Sequence, residues 1–153
     1  MPILEKNDFG VAHTQRVLDL AKQHFPAQFP IEDLTYASII LHDIGGCSIK
    51  DQNEKGPQIA TELLKQMGCS ESFIRQVCLI IATHHDHPEA PSDAFKSLYD
   101  ADKLVMFTPE EYPTYNVREG FDWEKIVDLI YSENGKVLAR EMLIARRVEQ
   151  ERV

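Results

Sequence analysis

Long apolar stretches are missing from this chain of 153 residues, and no run approaches the length that crosses a bilayer. Its first residues, Met1-Pro2-Ile3-Leu4-Glu5-Lys6, carry no secretory h-region. Cysteine is scarce. Cys47, Cys69 and Cys78 form no CxxC pair, and their odd number argues against a disulfide framework, which predicts a reducing, cytoplasmic setting. Basic residues are outnumbered, 16 Lys and Arg against 25 Asp and Glu, for a formal net charge of −9. A field of that sign repels duplex nucleic acid and anionic membrane. A small phosphorylated partner is compatible only where a cation and local basic side chains override the global charge. Strand-like alternation, internal repeats and linker segments are also lacking, so the expectation is one all-α domain over 1–153.

Helical periodicity is plentiful. Asn7-Asp8 offers a cap for a helix from about Phe9 to His24, with Val17, Leu20, Ala21 and Phe25 on its apolar side. A second helix runs from about Ile31 to His42, after Pro30 and with Glu32 and Asp33 in its first turn. Residues 44–55 read as loop. Further helices are predicted at about 57–67, 71–84 (capped by Ser70), 93–106 (capped by Ser92), 122–132 and 136–152. Asn134-Gly135 breaks the last two apart. Residues 108–120, with Pro109, Pro113, Tyr112 and Tyr115, read as a long loop with room for a short helix at Glu110-Glu111. The expected architecture is a bundle of about six to seven helices.

Three chemical features interrupt this regular pattern. The apolar run 36–41 ends in His42-Asp43, followed by Ile44-Gly45-Gly46. An imidazole and a carboxylate at the end of an apolar helix are costly unless something satisfies them. A helix C-cap is the plain alternative. His13 lies one turn before Val17 on a buried face, where a satisfied core histidine is the plain alternative. Asp102 shares its side of the fifth predicted helix with Phe95, Leu98, Tyr99 and Val105, and an unpaired buried carboxylate is not expected there. Together these supply two imidazoles and two carboxylates, a donor set for a divalent transition metal with positions left for water and substrate. A fourth cluster, His84-His85-Asp86-His87, ends the deeply buried fourth predicted helix; a solvated helix end is its plain reading.

The ordered set His13-xx-Arg16-Val17, Leu41-His42-Asp43-Ile44-Gly45, Lys55-Gly56-xx-Ile59-Ala60, Ile81-xx-His84-His85 and Asp100-Ala101-Asp102-Lys103-Leu104 resembles the HD superfamily of metal-dependent phosphohydrolases. The resemblance covers about residues 9–105; helices at about 122–152 lie beyond it. It implies an all-helical core and makes His13, His42, Asp43 and Asp102 the metal ligands. Asp100 competes with Asp102, which is preferred because Lys103-Leu104 follows it. His84 corresponds to a histidine near the site that meets substrate phosphate or a water on the metal, with His85 as the alternative. Arg16, Lys55 and Lys103 are candidates to neutralise substrate phosphate. Asp43 and His84 are the candidate catalytic groups.

Departures narrow the reading. No histidine occurs between Gly45 and Gly56, where dinuclear members supply one, so a single cation (Mn, Fe, Ni, Mg or Zn) is expected. The following Glu of one 5′-nucleotidase branch, the Glu-Asp of guanosine-tetraphosphate hydrolases and the Gly-Tyr-Pro of cyclic-dinucleotide phosphodiesterases are all absent. The expected activity is hydrolysis of a phosphate ester or anhydride, in a nucleotide or another small phosphorylated metabolite. The alternatives are a di-iron oxygenase of the same fold and a non-catalytic binding domain. Cys47, just after the ligand pair, is not expected to bind the metal. Without a cation, Asp43 and Asp102 are expected to repel, so Asp102→Asn should stabilise the metal-free protein. Oligomeric state is left open.

Overall fold

A computed structural model describes residues 10–46 and 48–152, so the Asn7-Asp8 cap and Cys47 fall outside the described residues. Among these, all regular structure is helical: α1 (Gly10–His24), α2 (Glu32–Leu41), α3 (Ile49–Glu54), α4 (Gly56–Gln66), α5 (Glu71–Thr83), α6 (Asp93–Leu104), a 3-10 turn (Val105–Phe107), α7 (Tyr112–Asn116), α8 (Trp123–Leu129) and α9 (Glu133–Glu151). No described helix is long and apolar enough to cross a membrane.

The caps predicted at Ser70 and Ser92 form, and Ser132 supplies a third that was not expected. Ser70, Ser92 and Ser132 each accept the backbone N–H three residues on, from Phe73, Phe95 and Gly135. The α4–α5 corner closes with Cys69 N–H on Leu64 O and Gly68 N–H on Lys65 O, both at 3.0 Å. Gly68 takes φ +82° there, the left-handed conformation that a side chain disfavours.

α6 is the central element. It packs against α1, α2, α8 and α9, and Leu98, Ala101 and Leu104 are buried in a core shared with Val17, Ala21, Ile39, Phe107, Val127 and Leu143. Burying each large apolar side chain stabilises the fold by roughly 1.5–3 kcal/mol. A second cluster, Ala60, Leu64, Ile74, Val77 and Ile81, joins α4 to α5, with Leu41 of α2 packed against it. The ends of α2 and α5 are thereby brought to the same place as the first turn of α1 and the end of α6.

Three segments depart from expectation. Within the predicted loop 44–55 lies α3, capped by Ser48 accepting from Asp51 N–H at 3.0 Å. Its turn-forming Asp51 and Asn53 hid it. Gly45 makes the approach of α3 feasible, since a Cβ there would stand 2.5 Å from Asp51 O and 2.6 Å from Gly56 N. In 108–120 the helix falls at Tyr112–Asn116, just after Glu110-Glu111. Asn134-Gly135 does not break a helix but lies in the first turn of α9. Gly135 is small because a Cβ would meet Ile130 Cγ2 at 2.7 Å, so the chain turns tightly between α8 and α9.

Candidate metal centre

His13 belongs to the same stripe of α1 as Val17 and Ala21, which turns its ring inward. His42 is the C-cap of α2 and His84 the C-cap of α5. Both caps use one device: ring Nδ1–H donates 2.6 Å to the carbonyl three residues back, Ile39 O or Ile81 O. Those carbonyls belong to the helix ends that need partners. The bond fixes ring and tautomer, leaving Nε2 of each buried and without a hydrogen-bond partner.

Asp43 and Asp102 complete the centre. His13 Nε2 stands 3.1 Å from Asp102 Oδ1 and 3.4 Å from Asp43 Oδ2; His42 Nε2 stands 3.1 Å from Asp43 Oδ2 and 3.5 Å from Asp102 Oδ1. The four atoms form a closed ring in which nitrogen and oxygen alternate. Ligands about 2.1 Å from one ion and at right angles lie about 3.0 Å apart, so these separations are close to those of a single coordination sphere. One donor atom from each of His13, His42 and Asp102 lies within 4.8 Å of the others. His84 Nε2 adjoins the ring, 3.8 Å from the other oxygen of Asp43. Unpartnered buried nitrogens beside carboxylate oxygens suit a divalent cation of intermediate softness.

The charges are strongly linked. Burial works against a charged His13, but hydrogen bonds to Asp102 and Glu111 and their negative charges outweigh it, raising its pKa to about 10. His42 is likewise disfavoured by burial and raised well above its usual value by Asp102 and Asp43. For Asp43 and Asp102 burial acts upwards, and the two imidazoles prevail and hold both carboxyls below their ordinary range. A proton on each imidazole and a divalent cation are thus alternative counter-charges for the same two carboxylates. His84 differs. Burial, then the charges of His85 and His42, lower it to about 4, so it is neutral at pH 7.

The remaining sequence candidates fall in distinct places. Asp100 is buried and points away, accepting the backbone N–H groups of Tyr131 at 2.7 Å and Ser132 at 3.0 Å. His85 Nε2 meets Gln52 Oε1 of α3, and its ring lies 4.0 Å from that of His84. Lys103 sits over the Tyr99 ring at 5.1 Å, and its charge helps burial lower His85. Lys55 pairs with Asp51 at 3.5 Å and is largely exposed. Arg16 is directed at Glu111, with Nε and a terminal nitrogen each 3.0 Å from Oε2. His87 stacks on Tyr131 at 4.5 Å and meets Leu129 O.

Two residues at the centre escaped sequence reading. Glu111, fully buried, accepts from His13 Nδ1–H at 2.8 Å. Its spacing from Thr108 is that of a capping box, a bland signal; Thr108 Oγ1 does accept Glu111 N–H at 3.3 Å, but the carboxylate turns inward. Tyr115 of α7 lies near enough that Glu111 and Asp102, after burial, raise its phenol pKa. No sequence signal marked it.

The structure is an all-α bundle that gathers His13, His42 and Asp102 from α1, the end of α2 and α6 into a group able to hold a metal ion, with Asp43 beside them. The family model described as HD domain matches residues 10–106, and the chain belongs to that family. Its members bind divalent metals, and His13, His42 and Asp102 form a group able to hold one here. No curated protein and no solved structure matches the chain significantly.

Proposed function

We propose that the protein is a metal-dependent phosphohydrolase acting on a phosphate ester or anhydride of a nucleotide or similar small metabolite. The observation that carries this is the four-atom ring of His13, His42, Asp43 and Asp102, with contacts of 3.1–3.5 Å, in a member of the HD family. These four residues would hold one divalent cation, which supplies Lewis acidity toward a phosphoryl oxygen and lowers the pKa of its water.

The chain's own groups do the rest. Asp43 faces the imidazoles through Oδ2 and His84 through Oδ1, so its second oxygen is available to take a proton from the attacking water. Neutral His84, with Nδ1–H given to Ile81 O, presents a lone pair at Nε2. A lone pair accepts; it orients water rather than donating to a phosphate oxygen. Lys103, next to Asp102, is the better candidate for the phosphate side, with Lys55 at the periphery; His85, its pKa lowered by burial, spends its Nε2–H on Gln52 Oε1.

The test is phosphate release from nucleotides and phosphomonoesters by protein stripped of metal and reloaded with Mn, Fe, Ni, Mg or Zn. The expected result is metal-dependent release that disappears in His42→Ala and Asp102→Asn. Stoichiometric metal with no release across the panel would overturn it; two irons per chain with oxygen uptake would replace it with an oxygenase.

A further inference from the structure

We infer that Glu111, held by Arg16, is a positioning residue for the metal centre: it locks His13 in the Nδ1–H tautomer and aims Nε2 at the ring. This rests on the metal-centre reading above. It assigns part of the site to a segment beyond residues 10–106, the span that the family match covers.

Each of the three inward-facing imidazoles needs an anchor on Nδ1. For His42 and His84 that anchor is a carbonyl of their own helix. His13 cannot copy them. It lies in the first turn of α1, with the helix continuing to His24, rather than at a C-terminal end. The anchor must come from elsewhere, and Glu111 Oε2 supplies it at 2.8 Å from 98 residues away in sequence. A carboxylate on the far nitrogen of a ligating histidine fixes the ring and raises its basicity.

A fully buried carboxylate is itself costly without a partner. Arg16, one turn along α1 from His13, provides it with two contacts to the same oxygen. One helix therefore carries both the ligand and the clamp on the ligand's anchor. The segment bearing Glu111 is pinned on either side. Phe107 and Trp123 lie 4.8 Å apart, Tyr112 stacks on Trp123 at 4.7 Å, and Tyr112 Oη donates to Gln150 Oε1 of α9. Arg16 is thereby a structural partner of a buried acid rather than a group awaiting substrate.

The test compares Co(II) affinity, by chelator competition, in wild type, Glu111→Ala and Glu111→Gln, with circular dichroism as the check of fold. Gln keeps an oxygen for His13 and Arg16, and its amide occupies the place of Oε1, which has no hydrogen-bond partner among the described residues. The expected result is a loss of about 10–100-fold in Glu111→Ala and substantial rescue in Glu111→Gln, a pattern that loss of bulk packing alone would not give. A folded Glu111→Ala with wild-type Co(II) affinity overturns the inference. Should that variant fail to fold, imidazole 15N NMR of Zn(II)-loaded wild type decides: His13 metallated at Nε2 with a proton on Nδ1 supports it, and the reverse tautomer overturns it. Wild type that binds neither Co(II) nor Zn(II) would sink the metal-centre reading itself, a result separable from equal affinities in wild type and variant.

Discussion

Competition between protons and a cation for the same two carboxylates makes a quantitative demand on the metal-stripped protein. His13 has its pKa raised from 6.5 to about 10. A group raised on folding stabilises fully below its unfolded pKa, and the contribution is lost as pH climbs to the folded one. The window is therefore pH 6.5 to about 10. At 1.36 kcal/mol per unit, the metal-free protein should lose on the order of 4–5 kcal/mol from His13 across it. The lowered pKa of Asp102 expresses the His13 contact from the other side and is not added; its contribution, and that of Asp43, lowered chiefly by His42, fade separately as pH falls below about 4. For a domain of this size about 1 kcal/mol corresponds to roughly 2–4 °C, so the melting temperature should fall by on the order of 10–20 °C. A bound cation takes over the counter-charge and needs neutral imidazoles, so metal-loaded protein should melt nearly independently of pH over this range. Chelation should then lower the melting temperature little at pH 6.5 and strongly at pH 9.5. Thermal scans with and without chelator at four or five pH values provide the measurement. Flat melting of verified metal-free protein between pH 6.5 and 9.5 would refute the reasoning, because Asp102 and Glu111 would then not hold a proton on His13.

Two further substitutions separate the aspartates of α6. Asp102→Asn should abolish metal binding and destabilise the metal-free protein at pH 7 by roughly 1.5–3 kcal/mol in urea denaturation, because the lost carboxylate lies between His13 and His42; a gain in stability would show that repulsion from Asp43 dominates. Asp100→Ala should cost on the order of 1–3 kcal/mol by orphaning the Tyr131 and Ser132 N–H groups, while Co(II) affinity by chelator competition stays at the wild-type level.

The Asp102 prediction reverses the sign that the sequence suggested. Two carboxylates near one another read as repulsion, but each faces both imidazoles in an alternating ring, a feature of side-chain placement that spacing does not encode. Helical period placed His13 and Asp102 on buried faces of their own helices; that they and the His42-Asp43 pair converge was what the resemblance to the HD superfamily implied. Asp100 and Asp102 are two residues apart, hence on different faces of α6, and the neighbouring Lys103-Leu104 pointed to the right one of the two for facing the ring. Glu111 was hidden for the opposite reason. It lies between two prolines in a segment with no apolar period, and its inward direction is set by an aromatic cluster that closes only in three dimensions. α3 was hidden because its six residues hold a single buried side chain, Gln52, and polar turn formers dominate the rest.

The two histidine caps carry a consequence for how this chain can change length. Because Ile39 O and Ile81 O orient the imidazoles of His42 and His84, each ring takes its heading from the winding of its helix. One residue inserted or deleted within α2 or α5 swings the terminal ring about 100° around the axis. No rotamer compensates while the carbonyl bond is kept. Length variation compatible with a working centre is therefore confined to the connections, such as residues 25–31, since even a whole added turn, which restores the heading, moves the ring about 5.4 Å along the axis. Inserting a single alanine near the middle of α2 should cost metal affinity out of proportion to stability, whereas the same insertion before Glu32 should leave both nearly unchanged.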